Sequence, residues 1–135
     1  MLESVRIVDL PKILDERGNL TFLEGDRHIP FTIVRTYWIY DVPGGEQRGG
    51  HAFKEQEELI IALSGSLDVV LNDGMQEKHF YLNRSYFGLY IPNGLWRKME
   101  NFSTNSLVLV LSNTKYSNID YIYDYDEYIE WRKIK

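Results

Sequence analysis

The residues of this chain that could do chemistry gather in one stretch. It runs Arg48-Gly49-Gly50-His51-Ala52-Phe53-Lys54, continues through Glu55-Gln56-Glu57-Glu58, and enters the apolar run Leu59-Ile60-Ile61-Ala62-Leu63. A histidine at the mouth of a buried segment loses hydration, so it is either a structural group satisfied by a backbone carbonyl or a working acid or base. Two cations, Arg48 and Lys54, stand beside a Gly-Gly pair that lets backbone approach a ligand. The glutamates first read as partners of His51 in a His-Glu metal site.

The elements that must position these residues are short strands. Ile33-Val34-Arg35-Thr36-Tyr37-Trp38-Ile39-Tyr40 is the first strong one, rich in β-branched and aromatic residues. Leu59 to Leu63, Leu67 to Leu71, Gln76 to Leu82, Phe87 to Ile91, Trp96 to Phe102 and Leu107 to Leu111 follow, with an Asn72-Asp73-Gly74 hairpin turn and a Pro92-Asn93-Gly94 turn between them. Val5 to Val8 reads as an edge strand and Leu20 to Glu24 as another short one. Turn signals recurring roughly every 8 to 12 residues imply an all-β sandwich or small barrel. In the tail, Tyr116 to Lys135, the spacing of Ile119, Ile122, Tyr123, Asp126 and Ile129 allows one amphipathic helix, with Arg132, Lys133 and Lys135 at its end. No linker or repeat divides residues 1–135, which read as a single domain.

Composition narrows the function classes. A net charge of −5 argues against a nucleic-acid surface. There is no cysteine, which removes disulfides, thiolate nucleophiles and zinc–thiolate sites. No run approaches the roughly 20 apolar residues of a membrane span, and the first ten residues lack a signal-peptide core. The expectation is a cytoplasmic protein. Ten tyrosines suit cavities or interfaces that need apolar area and hydroxyls together.

The spacing of His51, Glu58 and Gly65 and the later Gly88-Leu89-Tyr90-Ile91-Pro92-Asn93-Gly94-Leu95-Trp96 resembles the two halves of a cupin signature. The usual metal-ligand positions of that signature fall on His51, Phe53, a glutamate at 57 or 58, and Arg97. Phe cannot ligate and Arg stays cationic, so no metal is expected. The match is closest to one branch. Arg48-Gly49-x-His51-Ala52-x-Lys54, Leu63-x-Gly65-Ser66, Leu71-x-Asp73-Gly74, Gly88-Leu89-Tyr90 and the tail Asp120-Tyr121-Ile122-x-x-Tyr125-Asp126 are similar to the dTDP-4-oxo-6-deoxysugar 3,4-ketoisomerases, over nearly the whole chain from Asp15-x-Arg17-Gly18 onward. The resemblance implies a small cupin, a jelly-roll (double-stranded β-helix) barrel with a short C-terminal helix, working without cofactor. It would move the keto group of a dTDP-linked 4-oxo-6-deoxysugar from C4 to C3, for deoxyaminosugars of bacterial surface polysaccharides. It also implies a homodimer that exchanges N-terminal strands.

On that resemblance His51 is the base that removes the C3 proton, and Tyr37 a relay or oxyanion partner for the enediolate. Arg48 is placed on the diphosphate, with Arg35, on the same strand face as Tyr37, able to do the same. Each has a plain alternative: a satisfied core histidine, a packing tyrosine, a surface ion pair of Arg48 with Glu46 or Glu55. Trp96 and Tyr90, like Trp38, are either stacking groups of a substrate pocket or barrel core. Phe53 stands where the family usually carries a second histidine, making that wall apolar and keeping a non-catalytic sugar-nucleotide-binding cupin as the competing reading. A 3,5-epimerase-like reading would need a His-Asp dyad, and no aspartate stands out near His51.

Arg17 and Arg97 fall at positions that the resemblance places at the sugar and that vary with the C4 configuration of the product. A single base returning its proton on the face it came from gives the galacto product, which loss of the second histidine favours. A donor on the opposite face gives gluco, which Arg97 favours. The residues leave both open.

Overall fold

The computed structural model describes residues 1–134; Lys135, assigned above to the helix end, lies outside the described residues. Two five-stranded antiparallel sheets face each other, in the orders β1-β9-β6-β11-β4 and β12-β5-β10-β7-β8. The strands are β1 (Arg6–Asp9), β4 (Arg35–Ile39), β5 (Arg48–Phe53), β6 (Glu58–Ser64), β7 (Leu67–Asn72), β8 (Glu77–Leu82), β9 (Phe87–Ile91), β10 (Trp96–Glu100), β11 (Leu107–Ser112) and β12 (Tyr121–Ile122). A small hairpin of β2 (Lys12–Ile13) and β3 (Leu20–Thr21) pairs only with itself.

Period-two alternation sorts each strand between the barrel interior and its outside. Ile60 and Ala62 of β6, Val108 and Val110 of β11, Val69 and Leu71 of β7, and Leu89 and Ile91 of β9 fill one end of the interior. The intervening residues of the first sheet point outward. There Leu59, Ile61, Tyr90 and Leu111 pack against Ile29 and Phe31 of the N-terminal loops. Strand β6 is covered on both faces, which is why its sequence is a continuous apolar run.

Outside the second sheet, Ala52, Ile122 and Tyr128 form a third cluster with Trp96, Ile129 and Trp131. Helix α1 (Tyr125–Ile134) supplies the cover. The Tyr128 hydroxyl donates to the Gly94 carbonyl at 2.8 Å and to the Asn72 carbonyl at 3.2 Å, tying the helix to two turns of the barrel.

Three elements differ from the sequence reading. The stretch around His51 is itself strand β5, not an approach to the next strand. Leu20–Thr21 is a two-residue strand, shorter than expected. The tail is not one helix. The Asp120 carboxylate accepts the backbone N–H of Glu55 at 2.7 Å and of Gln56 at 3.2 Å, and its carbonyl accepts from Lys54 at 2.9 Å. Those bonds hold Asp120 on the β5–β6 loop and set Tyr121 opposite Phe53 on β5. The helix starts only after Asp124, whose side chain accepts the Glu127 N–H at 3.0 Å as an N-cap.

Candidate functional site

The interior end left open by the apolar core is polar. Strand β4 contributes Arg35 and Tyr37, β5 His51 and Phe53, β6 Glu58, β10 Arg97 and β12 Tyr121. Register makes them neighbours: Ser112 of β11 lies opposite both Arg35 and Glu58, Arg97 opposite His51, and Tyr121 opposite Phe53. A cavity of about 290 Å³ is lined by Arg35, Tyr37, Gly49, His51, Met99, Tyr116 and Tyr121.

The glycines beside His51 have a structural reason. The pairing of β5 with β10 slips by one residue between Arg97 and Lys98. Gly49 and Gly50 adopt φ of +98° and +82° at that bulge, and a Cβ on Gly49 would meet the Lys98 Cα at 3.0 Å. The pair thus bends β5 and accommodates the partner backbone, and Gly49 also lines the cavity.

His51 sits among rings. Phe53 presents an edge at 4.9 Å between centroids, Tyr121 lies at 5.2 Å and Tyr123 at 6.2 Å. Loss of hydration and the neighbouring Arg97 cation push its pKa down to about 3, so the imidazole is neutral at physiological pH. Its Nε2 is buried and has no hydrogen-bond partner among the described residues, and the same holds for Arg35 Nε.

Behind these groups runs a buried polar chain. Glu58, 0% exposed, holds Arg97 in an ion pair through Oε1. Its other oxygen accepts the Tyr37 hydroxyl at 2.6 Å and the Gln56 side-chain amide. Gln56 Oε1 in turn accepts from Arg35 at 3.0 Å and from the Thr114 hydroxyl at 2.8 Å. The Arg97 guanidinium also lies 4.9 Å over the Phe53 ring. Burial raises the Tyr37 pKa, against the opposing pull of Arg97, Arg35 and Arg48, so it is a protonated phenol. At the mouth, Arg35 lies 5.3 Å from the Tyr37 ring and 5.5 Å from that of Tyr116.

Of the residues singled out from sequence, His51, Tyr37, Arg35, Phe53 and Arg97 come together. Arg48 is exposed at the start of β5 and lines a separate depression with Tyr40, Asp41 and Glu46, although its charge still acts on Tyr37. Trp96 does not join them; it is on the opposite face of β10 from Arg97, against Tyr125 and Tyr128 of the helix. Tyr90 is on the outer face of β9, hydrogen-bonded to Glu57 and covered by Arg6 at 4.8 Å. Arg17 is on the β2–β3 hairpin, 86% exposed and paired with Asp15, away from the cavity of its own chain. Of the two glutamates that the sequence left open, Glu58 is the one behind the cavity, with Gln56 beside it as buried support, and Tyr116 and Tyr121, to which the sequence assigned no role, form its wall. The β-strand at Tyr121 was masked by helical spacing of the tail, whereas Tyr121-Ile122-Tyr123 also carries a short alternation.

Comparison with known proteins matches this geometry to a family. A family model described as FdtA (WxcM-like, C-terminal) matches residues 3–133. The TDP-4-oxo-6-deoxy-α-D-glucose-3,4-oxoisomerase of Aneurinibacillus thermoaerophilus is 37% identical over 123 residues, 91% of this chain and 88% of that one. A 3,4-ketoisomerase from Helicobacter canadensis is 42% identical with a TM-score of 0.94, covering 96% of this chain and 98% of that one. The sugar 3,4-ketoisomerase QdtA of Thermoanaerobacterium thermosaccharolyticum, solved with TDP, is 38% identical with a TM-score of 0.95, covering 99% and 98%. The chain belongs to the FdtA family of cupin-fold sugar 3,4-ketoisomerases.

Proposed function

We propose that this protein is an isomerase that converts TDP-4-oxo-6-deoxy-D-glucose to a TDP-3-oxo-6-deoxyhexose through an enediol. The observation that carries the reading is the pair of buried, unpartnered nitrogens, His51 Nε2 and Arg35 Nε, on one cavity. Buried polar atoms without partners are rare, and a polar ligand in the cavity would satisfy them. Family membership sets the chemistry such a ligand undergoes.

The lone pair of His51 takes the C3 proton, and the electrons of that bond form C3=C4 as O4 becomes an oxyanion. The Tyr37 phenol gives its proton to O4, completing the enediol, with Arg35 and Arg97 stabilising the phenolate left behind. The phenolate then takes the proton of O3, C3=O forms, and C4 gains a proton as the His51 imidazolium gives one up, directly or through solvent, which restores both groups. Atoms balance with no redox partner, because one carbon is oxidised as its neighbour is reduced. Phe53 supplies desolvation in place of a second titratable group, which keeps His51 a neutral base. Arg35 on the cavity, and Arg48 on the neighbouring surface of β5, suit the diphosphate.

The test is incubation with TDP-4-oxo-6-deoxyglucose in deuterated water, followed by NMR. Solvent deuterium at the sugar and growth of a 3-oxo product are expected, and the spectrum reads the C4 configuration directly. Binding without exchange would instead identify a non-catalytic sugar-nucleotide-binding cupin.

The protein also works, in this proposal, as a homodimer exchanging N-terminal segments. An apolar groove of about 420 Å³ on the outer face of the first sheet, lined by Leu10, Phe22, Leu23, Ile61, Leu63 and Leu109, is open in the single chain. The β2–β3 hairpin beside it carries Ile13, Leu14 and Leu20, all more than half exposed, and pairs with no sheet. A second copy with the same groove and hairpin would cover both, and would bring each Arg17 toward the other chain's site.

A further inference from the structure

We propose that Glu58 and Gln56 are positioning residues of the reaction: a carboxylate oxygen with two donors, which fixes the Tyr37 phenol at the cavity wall and keeps it protonated until the enediolate forms. The inference rests on the relay role of Tyr37 given above. Glu58 is fully buried behind Tyr37 and Arg97, so it acts through them and not on the sugar. Its Oε2 accepts from both the Tyr37 hydroxyl and the Gln56 amide, while Oε1 is held by Arg97.

This double donation has a chemical consequence. At rest the phenol donates inward to Glu58, and its lone pairs face the cavity, ready to accept a sugar hydroxyl. When the proton turns to O4 of the enediolate, Glu58 Oε2 keeps the Gln56 donor and is not left as a bare buried anion. Gln56 is itself fixed, since its Oε1 holds Arg35 and Thr114 and its backbone N–H is bound by Asp120. While the proton is on O4 the phenolate lies against Glu58 Oε2, and this like-charge contact, offset by Arg97, Arg35 and the Gln56 amide, makes the phenolate a strong base toward the O3 proton. His51, across the cavity on β5, has no hydrogen bond to this unit among those the structure gives, so abstraction at C3 and proton exchange between the oxygens are served by separate groups.

The experiment compares two readouts at saturating substrate: solvent deuterium entering at C3 and appearance of 3-oxo product. Gln56→Met removes the second donor while leaving the Glu58–Arg97 pair. It is expected to slow product formation about 100-fold, the ordinary size of an acid–base contribution, with C3 exchange changed by no more than about twofold. Glu58→Gln is expected to show the same split; should it fail to fold, Gln56→Met decides. Tyr37→Phe serves as the reference. If Tyr37→Phe shows the split and Gln56→Met lowers both readouts equally, or neither, the positioning inference is overturned while the relay stands. If Tyr37→Phe turns over like the parent, the relay reading itself fails, and the inference with it.

Discussion

His51 loses water to Phe53 and Tyr121 and faces the Arg97 cation, and a histidine so placed leaves a signature in pH. In the folded chain its pKa is about 3; in the unfolded chain it returns to its ordinary value of about 6.5. The unfolded state therefore binds the extra proton between those values, so stability falls as pH drops from about 6.5 toward 3, by at most roughly 1.4 kcal/mol per pH unit from this group. His51→Asn should flatten that part of the stability profile in urea titrations at pH 4 to 7. Catalysis should carry the matching mark. The acid limb of kcat/KM that belongs to the base should be absent between about pH 8 and pH 5, a range over which an unperturbed histidine would pass from almost fully neutral to almost fully protonated. A limb centred near 6.5 would place the base outside this desolvated pocket. His51→Asn should also abolish deuterium entry at C3 while TDP still binds, which isothermal titration would read.

The elements explain which of these residues could be found before folding. Tyr37 and Trp38 are consecutive on β4, and Trp96 and Arg97 on β10, so alternation allows one of each pair inside the barrel. Tyr37 and Arg97 are the members of the two pairs that face inward. Treating Trp96 as a pocket residue ignored the parity rule that excludes it once Arg97 faces in. Glu58 was ambiguous with Glu57 because both precede the apolar run; only the register with Ser112 puts Glu58 inside, while Glu57 faces out to Tyr90. The barrel itself was legible from turn spacing, but the Tyr121 wall was not, because it depends on Asp120 capping a loop 65 residues earlier in sequence. The Gly49–Gly50 bulge is equally nonlocal. Gly49→Ala forces a side chain onto positive φ and against the Lys98 backbone, and should cost about 1–3 kcal/mol in equilibrium unfolding. Gly50→Ala, whose Cβ would meet only Trp96 at 3.9 Å, should cost less. Tyr128→Phe tests the other support of the site wall. Its hydroxyl, pushed up to about 12 by burial, serves two carbonyls, and its loss should lower stability by about 1–2 kcal/mol with kcat unchanged.

At the scale of the molecule, the unresolved matter is Arg17, which resemblance puts at the sugar and the single chain puts on an exposed hairpin. The proposed strand exchange would reconcile the two, and it makes a prediction that a cis arrangement cannot imitate. Suppose Arg17→Ala and His51→Asn each inactivate the enzyme. If Arg17 serves its own chain's site, every site in a mixed dimer still carries one lesion, and mixing restores nothing. If Arg17 crosses to the partner, a mixed dimer has one site with both lesions and one with neither. Random reassembly of equal amounts makes half the dimers mixed, so about a quarter of all sites become intact. Denaturing the two variants together and refolding them should then recover activity to about that fraction, whereas mixing them folded should recover little until subunits exchange. Leu14→Asp, on the same hairpin and 71% exposed in one chain, should shift the protein toward monomer in light scattering and abolish the complementation. A dimer that forms normally in Leu14→Asp would place the exposed hairpin outside the interface, and an equal mixture that stays inactive after refolding would place Arg17 in the site of its own chain.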